Sequence, residues 1–485
     1  MSSLTTAFAA ASPRVSPRPI PVASVLIHGF VVVLWFALFA RAFLSDGLFA
    51  WSIGVAYAGY DTFLLVFVAW QTLPLIRPSR SIDVGAACPS LGVIVAAHNE
   101  AGSLPVTLAT LFAQSDPPDQ ILIADDGSSD GTVRVLASEF GLATPTQGEI
   151  SAPSPNYPSL RWLRLPHGGK ARALNAAILQ IDAEIVLTVD ADTLLAPEAI
   201  GAMRSAFGAE PELVGATGIL IPTCQSGGAA RLFQWFQTYE YIRSFMSRYA
   251  YMRANSLLLV SGAFAGFRRS ALLAVGGFDP ECLVEDYELI HRLHRISVDG
   301  NLNWRVRVIG SARAITDAPG AMMSFLNQRR RWFGGFLQTQ YWNRDMVGSS
   351  RYGLLGTLML PIKAFDTMQP IYGLAAFGLL LAFVAGGKAT LVGLALGVIG
   401  IKIAIDLVAH LWTIHLYRQW TGDRSGSSIG YVMLAIFVEP FSFQLLRHTA
   451  AAWAWLSFLT RRQSWDVKSR VVEDRDLKAS DLISR

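Results

Sequence analysis

Hydropathy divides this chain before any motif is considered. Apolar runs from Pro21 to Ala40 and from Leu48 to Leu75 precede a stretch of ordinary globular texture between Leu91 and Trp342, and apolar sequence resumes after Arg351. A run of about 20 apolar residues is long enough to cross a bilayer as a helix. The chain must therefore place one soluble domain between two sets of membrane helices. Mean hydropathy is +0.38, with 52% hydrophobic and 16% charged residues, a balance that fits a polytopic membrane protein. A net charge of +4 gives no case for nucleic acid. Cys88, Cys224 and Cys282 lie far apart in no metal-ligand spacing, so neither a zinc site nor a disulfide framework is expected.

The expected organisation is a cytoplasmic tail at 1–20, disordered and rich in Ser, Ala and Pro, then two transmembrane helices over 21–76 joined as a hairpin. Arg14 and Arg18 before the first run, with Arg77 and Arg80 after the second, place both ends and the domain at 89–320 in the cytoplasm by the positive-inside rule. Apolar segments Tyr352–Ile362, Tyr372–Ala385, Thr390–Leu416 and Ile429–Leu459 follow. The first reads as part of interfacial amphipathic helices over 321–367, the others as spans within 368–460, and 461–485 as a cytoplasmic tail. Three such spans leave Arg461 and Arg462 on the wrong side, unless the first segment also crosses or Glu439-Pro440 divides the last.

Within the central domain, Leu91–Ala97, Gln120–Ala124 and Ala183–Val189 are short β-branched runs that end in polar or acidic residues. Such runs are buried parallel strands, and open α/β sheets place their active sites outside the carboxyl ends of the strands. His98-Asn99-Glu100, Asp125-Asp126 and Asp190-Ala191-Asp192 would then meet at one edge. The Pro-, Ser- and Gly-rich segment Thr144–Ser159 is a loop insertion.

Asp125 and Asp126 open the turn Gly127-Ser128-Ser129-Asp130-Gly131, where carboxylates can accept hydrogen bonds from a nucleotide; the plain alternative is an Asx turn capping the next helix. Asp190 and Asp192, two residues apart at a strand end, suit a hard divalent cation, Mg2+ or Mn2+, that bridges a diphosphate. His167-Gly168-Gly169-Lys170 joins close-approach glycines to a basic helix start, and Lys170 is the expected diphosphate contact. Glu285-Asp286 could supply a carboxylate base, or merely an acidic first turn on a helix. Gln328-Arg329-Arg330-Arg331-Trp332 offers a guanidinium for phosphate and a flat face for a sugar ring, although a basic aromatic helix at a membrane surface looks similar.

The order of these motifs resembles the membrane-embedded family 2 glycosyltransferases, the group of cellulose, chitin, hyaluronan and poly-N-acetylglucosamine synthases. Gln328, Arg331 and Trp332 carry the most specific part of the likeness, the Gln-x-x-Arg-Trp element of membrane-integrated members. The resemblance implies an α/β GT-A (Rossmann-like) catalytic domain inserted between transmembrane α-helices, an inverting mechanism and a UDP-sugar donor. By the same resemblance Asp286 is the base assisted by Glu285, Asp190 faces the nucleotide and Asp192 holds the metal. Val284 stands where the family often has Thr.

The expected function is inverting transfer from a UDP-sugar to a growing β-linked polysaccharide, processive and coupled to translocation, at the plasma (inner) membrane. Expected partners are the donor, a glycan or lipid acceptor and the bilayer; export or accessory proteins are not specified by the sequence. A single-transfer enzyme acting on a lipid is the rival, and a scaffold with an inactive domain is a third reading. The short tail after Thr460 leads us to expect no added regulatory β-barrel domain.

Overall fold

A computed structural model describes residues 2–77, 88–224, 227–422 and 429–461. Arg80, Arg462 and the rest of the 461–485 tail beyond Arg461 lie outside the described residues. The chain begins with α1 (Ser2–Ala11), followed by α2 (Val22–Leu44) and α3 (Ser52–Thr72). The central domain then lays down β1 (Leu91–Ala97), β2 (Gln120–Asp126), β3 (Leu160–Leu165), β4 (Ile185–Asp190), β5 (Thr193–Leu195), β6 (Leu213–Thr223), β7 (Phe264–Arg268) and β8 (Arg305–Asp317).

These strands form one sheet in the order β3-β2-β1-β4-β7-β6-β8-β5. The first four are mutually parallel, and β7 then runs antiparallel to β4. Leu91, Val93, Ile94 and Val95 are all fully buried, which is why β1 reads as an unbroken apolar run rather than an alternating one. Helices α4 (Leu104–Phe112), α5 (Thr132–Ser138), α6 (Lys170–Gln180) and α7 (Ala199–Ala209) connect the strands. The register aligns the strand ends, since Ala97 lies opposite Asp125, Ala96 opposite Asp190 and Asp126 opposite Leu165. The acidic ends of β2 and β4 and the end of β1 between them therefore share one edge. This is the GT-A arrangement that the resemblance implies, flanked by apolar helices.

Helices α8 (Gly228–Arg253), α9 (Arg269–Ala274), α10 (Glu285–Asp299) and α11 (Met322–Trp342) complete the domain. Beyond it run α12 (Leu360–Ala385), α13 (Ala389–Thr421), α14 (Ile429–Val438) and α15 (Phe443–Leu459). Among the described residues, Val22–Leu44, Gly47–Ile76, Leu355–Ala385 and Ala389–Thr421 are long and apolar enough to cross a membrane. Two features depart from the sequence reading. Tyr352–Ile362 is not a separate interfacial helix, because Leu355–Met359 forms a π-helical turn that continues directly into α12, and α12 itself runs past the boundary set at 367. The last apolar run divides at the Glu439–Phe441 turn between α14 and α15, one of the two alternatives that charge parity leaves open. Two of the candidate spans precede the domain and two follow it.

A third departure concerns the N-terminal segment, where disorder is expected. Leu4, Phe8 and Ala11 recur at helical spacing, and α1 lays this stripe against α9 and α10. Gly276 sits at φ +82°, and a Cβ there would come within 2.2 Å of the Phe8 backbone nitrogen, so only glycine lets the segment dock. Arg14 then grips the fully buried Asp279 through two bonds of 2.8 Å, and Arg18 reaches Asp299 at the far end of α10. The N-terminal segment is thus a strap over the helix that carries Glu285 and Asp286. Removing its cation leaves a buried carboxylate unpaired, so Arg14→Met should cost about 1–3 kcal/mol. Thermal melting in detergent should show a lowered Tm that Asp279→Asn partly restores; an unchanged Tm would mean that the strap is not docked.

Candidate active site

The two acids at the end of β2 have different jobs. Asp126 spends both carboxylate oxygens on the following loop, accepting from the backbone nitrogens of Gly168 at 2.8 Å and Gly169 at 2.9 Å. Its carbonyl oxygen accepts from Nδ1 of His98 at 2.7 Å and of His167 at 3.1 Å, which fixes the Nδ1–H form of both imidazoles. The two rings stack with centroids 4.4 Å apart. Gly127 makes this possible: at φ +68°, a Cβ would fall 2.6 Å from the His167 nitrogen. Asp125 accepts from the Ser128 nitrogen at 2.9 Å through Oδ1, the expected Asx turn, whereas its Oδ2 is buried without a partner. Asp125 therefore keeps acceptor capacity for a ligand, and Asp126 shapes the loop that delivers Lys170.

Lys170 opens α6 and ties the edge together. Its ammonium lies 2.5 Å from Asp190 Oδ1 at the end of β4, 3.4 Å from the Gly262 carbonyl and 3.8 Å from Glu285 Oε1 at the start of α10. Burial alone would lower its pKa, but the fields of Asp190 and Glu285 outweigh it and hold the group raised and protonated. Asp190 is also raised from its usual range: burial raises it, Lys170 opposes this, and the charge of Asp192 adds to the rise. Burial likewise raises Glu285, against Lys170. Asp286 accepts from the Gly262 nitrogen at 2.6 Å and from the Tyr287 nitrogen at 2.8 Å, so backbone donors orient both of its oxygens. Lys170, Asp190, Glu285 and Asp286 thus converge from three elements on one point.

The predicted Gln328-Arg-Arg-Arg331-Trp332 element lies on α11 and splits by direction. Arg331 donates to the Leu283 carbonyl at 3.3 Å, beside the start of α10. Trp332 stacks on the Arg329 guanidinium at 4.3 Å and lines a cavity of about 550 Å3 that extends between α3, α8, α12, α13 and α15. Gln328 bonds to Arg329, which is buried and paired with Glu240 of α8 at 2.5 Å. Arg330 stacks on Trp453 of α15. Arg329 and Arg330 are accounted for by packing, while Arg331 and Trp332 face the site and the cavity.

Two sets of side chains could hold a cation. Asp190 and Asp192 offer oxygen donors, and on top of burial the charge of Asp192 raises Asp190, a repulsion that a divalent ion would relieve. His98, Asp126 and His167 also bring ligand atoms within 4.8 Å of one another. There the imidazole Nδ1 atoms are already bonded to Asp126, an arrangement explained by loop packing, and hard cations prefer oxygen. Asn99 follows β1 at the expected edge, and the sequence assigns it no role of its own. It adopts φ +57° and accepts from the Ser129 and Asp130 nitrogens at 2.8 and 3.2 Å, bracing the turn after Asp125.

The direction of the Glu285 shift has a consequence for stability. A carboxylate raised on folding contributes most below its ordinary value of 4.5, and that contribution is lost as pH rises through the folded value. Charged Glu285 is therefore a net cost at neutral pH. Glu285→Gln should raise Tm at pH 7.5 in nucleotide-free buffer, at about 2–4 °C per kcal/mol gained, with the gap closing toward pH 4.5. A lowered Tm at pH 7.5 would show that pairing with Lys170 dominates instead.

Comparison with known proteins agrees with this geometry. Residues 92–276 match the glycosyl transferase family 2 model and residues 185–417 match that of glycosyl transferase family group 2. A poly-beta-1,6-N-acetyl-D-glucosamine synthase of Staphylococcus epidermidis is 25% identical over 64% of this chain and 66% of its own length. An N-acetylglucosaminyltransferase of Mesorhizobium japonicum is 29% identical over 59% of this chain and 66% of its own. The chain spans just under two thirds of the length of these relatives. A mannosyltransferase from Pyrobaculum calidifontis, solved with GDP-Man and Mn2+, shares the fold at a TM-score of 0.52 and 21% identity, over 81% of this chain and 99% of that one. With its acidic strand ends and flanking apolar helices, the chain belongs to the family 2 glycosyltransferases and is similar to the polysaccharide synthases among them.

Proposed function

We propose that this membrane glycosyltransferase moves a sugar from a UDP-sugar, with inversion, onto a growing β-linked glycan that enters its own membrane bundle. The observation that carries the reading is the meeting of Lys170, Asp190, Glu285 and Asp286 at the strand ends, with Trp332 lining a cavity among the apolar helices. Asp125 and Asp190 take the nucleotide side, with Asp126 holding the loop in place. Lys170 and Arg331 bear on the diphosphate, and Gln328 supports the helix from which Arg331 and Trp332 project. Mg2+ or Mn2+ bound by Asp192 with Asp190 would supply neutralisation of the charge left on UDP.

Each oxygen of Asp286 that accepts a backbone N–H retains a second lone pair, and that lone pair takes the acceptor hydroxyl proton. The freed oxygen attacks the anomeric carbon as the bond to the β-phosphate breaks, inverting the configuration. Trp332 offers the acceptor ring a stacking face at the cavity mouth. Glu285, kept near Lys170, helps to fix the position of α10. Repeated transfer needs a path for the product, and the cavity beyond Trp332 supports one. Arg14, Arg18 and Arg77 flank the first hairpin on the domain side, which supports a cytoplasmic domain at the plasma (inner) membrane.

The test is UDP release from detergent-purified protein given UDP-glucose, UDP-N-acetylglucosamine, UDP-glucuronate or UDP-galactose with Mn2+ or Mg2+. One donor should support turnover, chelation should abolish it, and Asp286→Asn should reduce it by at least about 100-fold. A polymer in the size-separated product confirms the synthase. A single organic-extractable glycolipid shifts the function to lipid glycosylation, and no release with any donor sinks the reading.

A further inference from the structure

Buried guanidinium groups in this protein are paired. Arg292 bonds to Glu288, Arg295 to Asp345, Arg204 to Asp116 and Asp119, and Arg329 to Glu240. Arg248 on α8 differs from them. Its Nε and Nη1 are buried without a hydrogen-bond partner, and no ion pair to it is found among the described residues. What it touches is the face of Phe245, 4.5 Å from the guanidinium. The residue as a whole is only half-buried, so it borders open space.

An isolated cation in such a setting is destabilising unless something neutralises it. Burial pushes Arg248 down to about 10, and the groups that act against this are the carboxylate of Asp286 and the hydroxyl of Tyr241. The side chain therefore lies within the electrostatic reach of the candidate base, yet it forms no salt bridge with it. Its neighbours on α8, Ser244, Ser247 and Tyr251, line the cavity that begins at Trp332. The same stretch of α8 thus carries residues of the cavity wall and a cation in the field of Asp286.

A neutral sugar oxygen would satisfy a donor but would leave the charge uncompensated. An anion does both, and a guanidinium binds phosphate oxygens with charge-assisted geometry. We infer that Arg248 is a substrate-binding residue that contacts the diphosphate of the nucleotide sugar, its charge being neutralised only when that ligand is bound. The inference rests on the nucleotide-sugar reading and adds to it a contact from α8.

Binding is the readout that isolates this role. Full-length protein in detergent with Mn2+ is titrated calorimetrically with UDP, GDP and uridine, comparing wild type with Arg248→Met and Arg248→Lys. For whichever nucleoside diphosphate the wild type binds, Arg248→Met should weaken affinity about 10- to 100-fold, as expected for loss of a charge-assisted contact, and Arg248→Lys should recover part of it. The affinity for uridine, which lacks phosphate, should not change. Because the wild-type charge is uncompensated without ligand, Arg248→Met should melt no lower than wild type in nucleotide-free buffer. Unchanged diphosphate affinity in Arg248→Met, or an equal loss for uridine, overturns the inference and leaves the glycosyl-transfer reading standing. Binding of neither nucleotide by wild type sinks both.

Discussion

The Lys170 ammonium is the charge on which the site depends. It lies between a carboxylate at the end of a sheet strand and another at the start of a helix, and it compensates both in a place where neither is well hydrated. Without it, Asp190 and Glu285 would protonate or move apart, since burial already raises both. The same contact sets a distance between two parts of the fold that no backbone hydrogen bond joins, β4 and α10. The arrangement stores a tension, because the carboxylates are kept close and partly dehydrated at a cost in stability. Active sites commonly carry such costs, which the rest of the fold must outweigh.

Lys170 can do this only because its own helix is aimed by Asp126. Both oxygens of that side chain accept from Gly168 and Gly169, immediately before α6 begins. A chain of local causes thus runs from β2, through a turn that requires positive φ at Gly127, to the loop and then to the ammonium. Asp125 and Asp126 are adjacent in sequence and opposite in role, and the pleat explains why. Successive side chains of a strand point to opposite faces, so one acid meets the loop and the other keeps an oxygen without a partner.

The parts of this fold that can be read from sequence are those whose burial is uniform. β1, β2 and β4 are buried on both faces and appear as apolar runs ending in polar or acidic residues, so the candidate edge is legible in the sequence. β3 is not visible in the same way: it is an edge strand in which Arg161 is exposed and Arg164 half-buried, so its pattern merges with the preceding loop. The docked α1 is hidden for a different reason. Its apolar stripe is three residues long, and the surface it fits is made by Gly276 and Asp279, far along the chain. Paired motifs such as Glu285-Asp286 announce themselves. The unpaired state of Arg248 does not, because lacking a partner is a property of the folded surroundings and leaves no pattern in a string of residues.

The last apolar run shows how charge decides membrane architecture. By hydropathy Ile429–Leu459 is long enough to span, yet a continuous helix would carry Glu439 toward lipid at substantial cost. The chain turns at Glu439-Pro440 instead, and the carboxylate, 3% exposed, bonds to Arg243 of α8 and Arg447 of α15. Arg447 also lies 3.6 Å from Glu240, whose other partner is Arg329 beside Trp332. Five charged side chains, Glu439, Arg243, Arg447, Glu240 and Arg329, thereby connect the helix of the Gln-x-x-Arg-Trp element, a long helix of the soluble domain and the break in the final apolar segment. Both carboxylates have two cationic partners, so the network holds α8, α11 and α15 in a constant relation. All three helices line the cavity, Trp332 of α11 among them. Transfer at the edge and movement of a product through the bundle would need this constancy, because a sugar displaced by about 1 Å from its attacking geometry loses much of its rate.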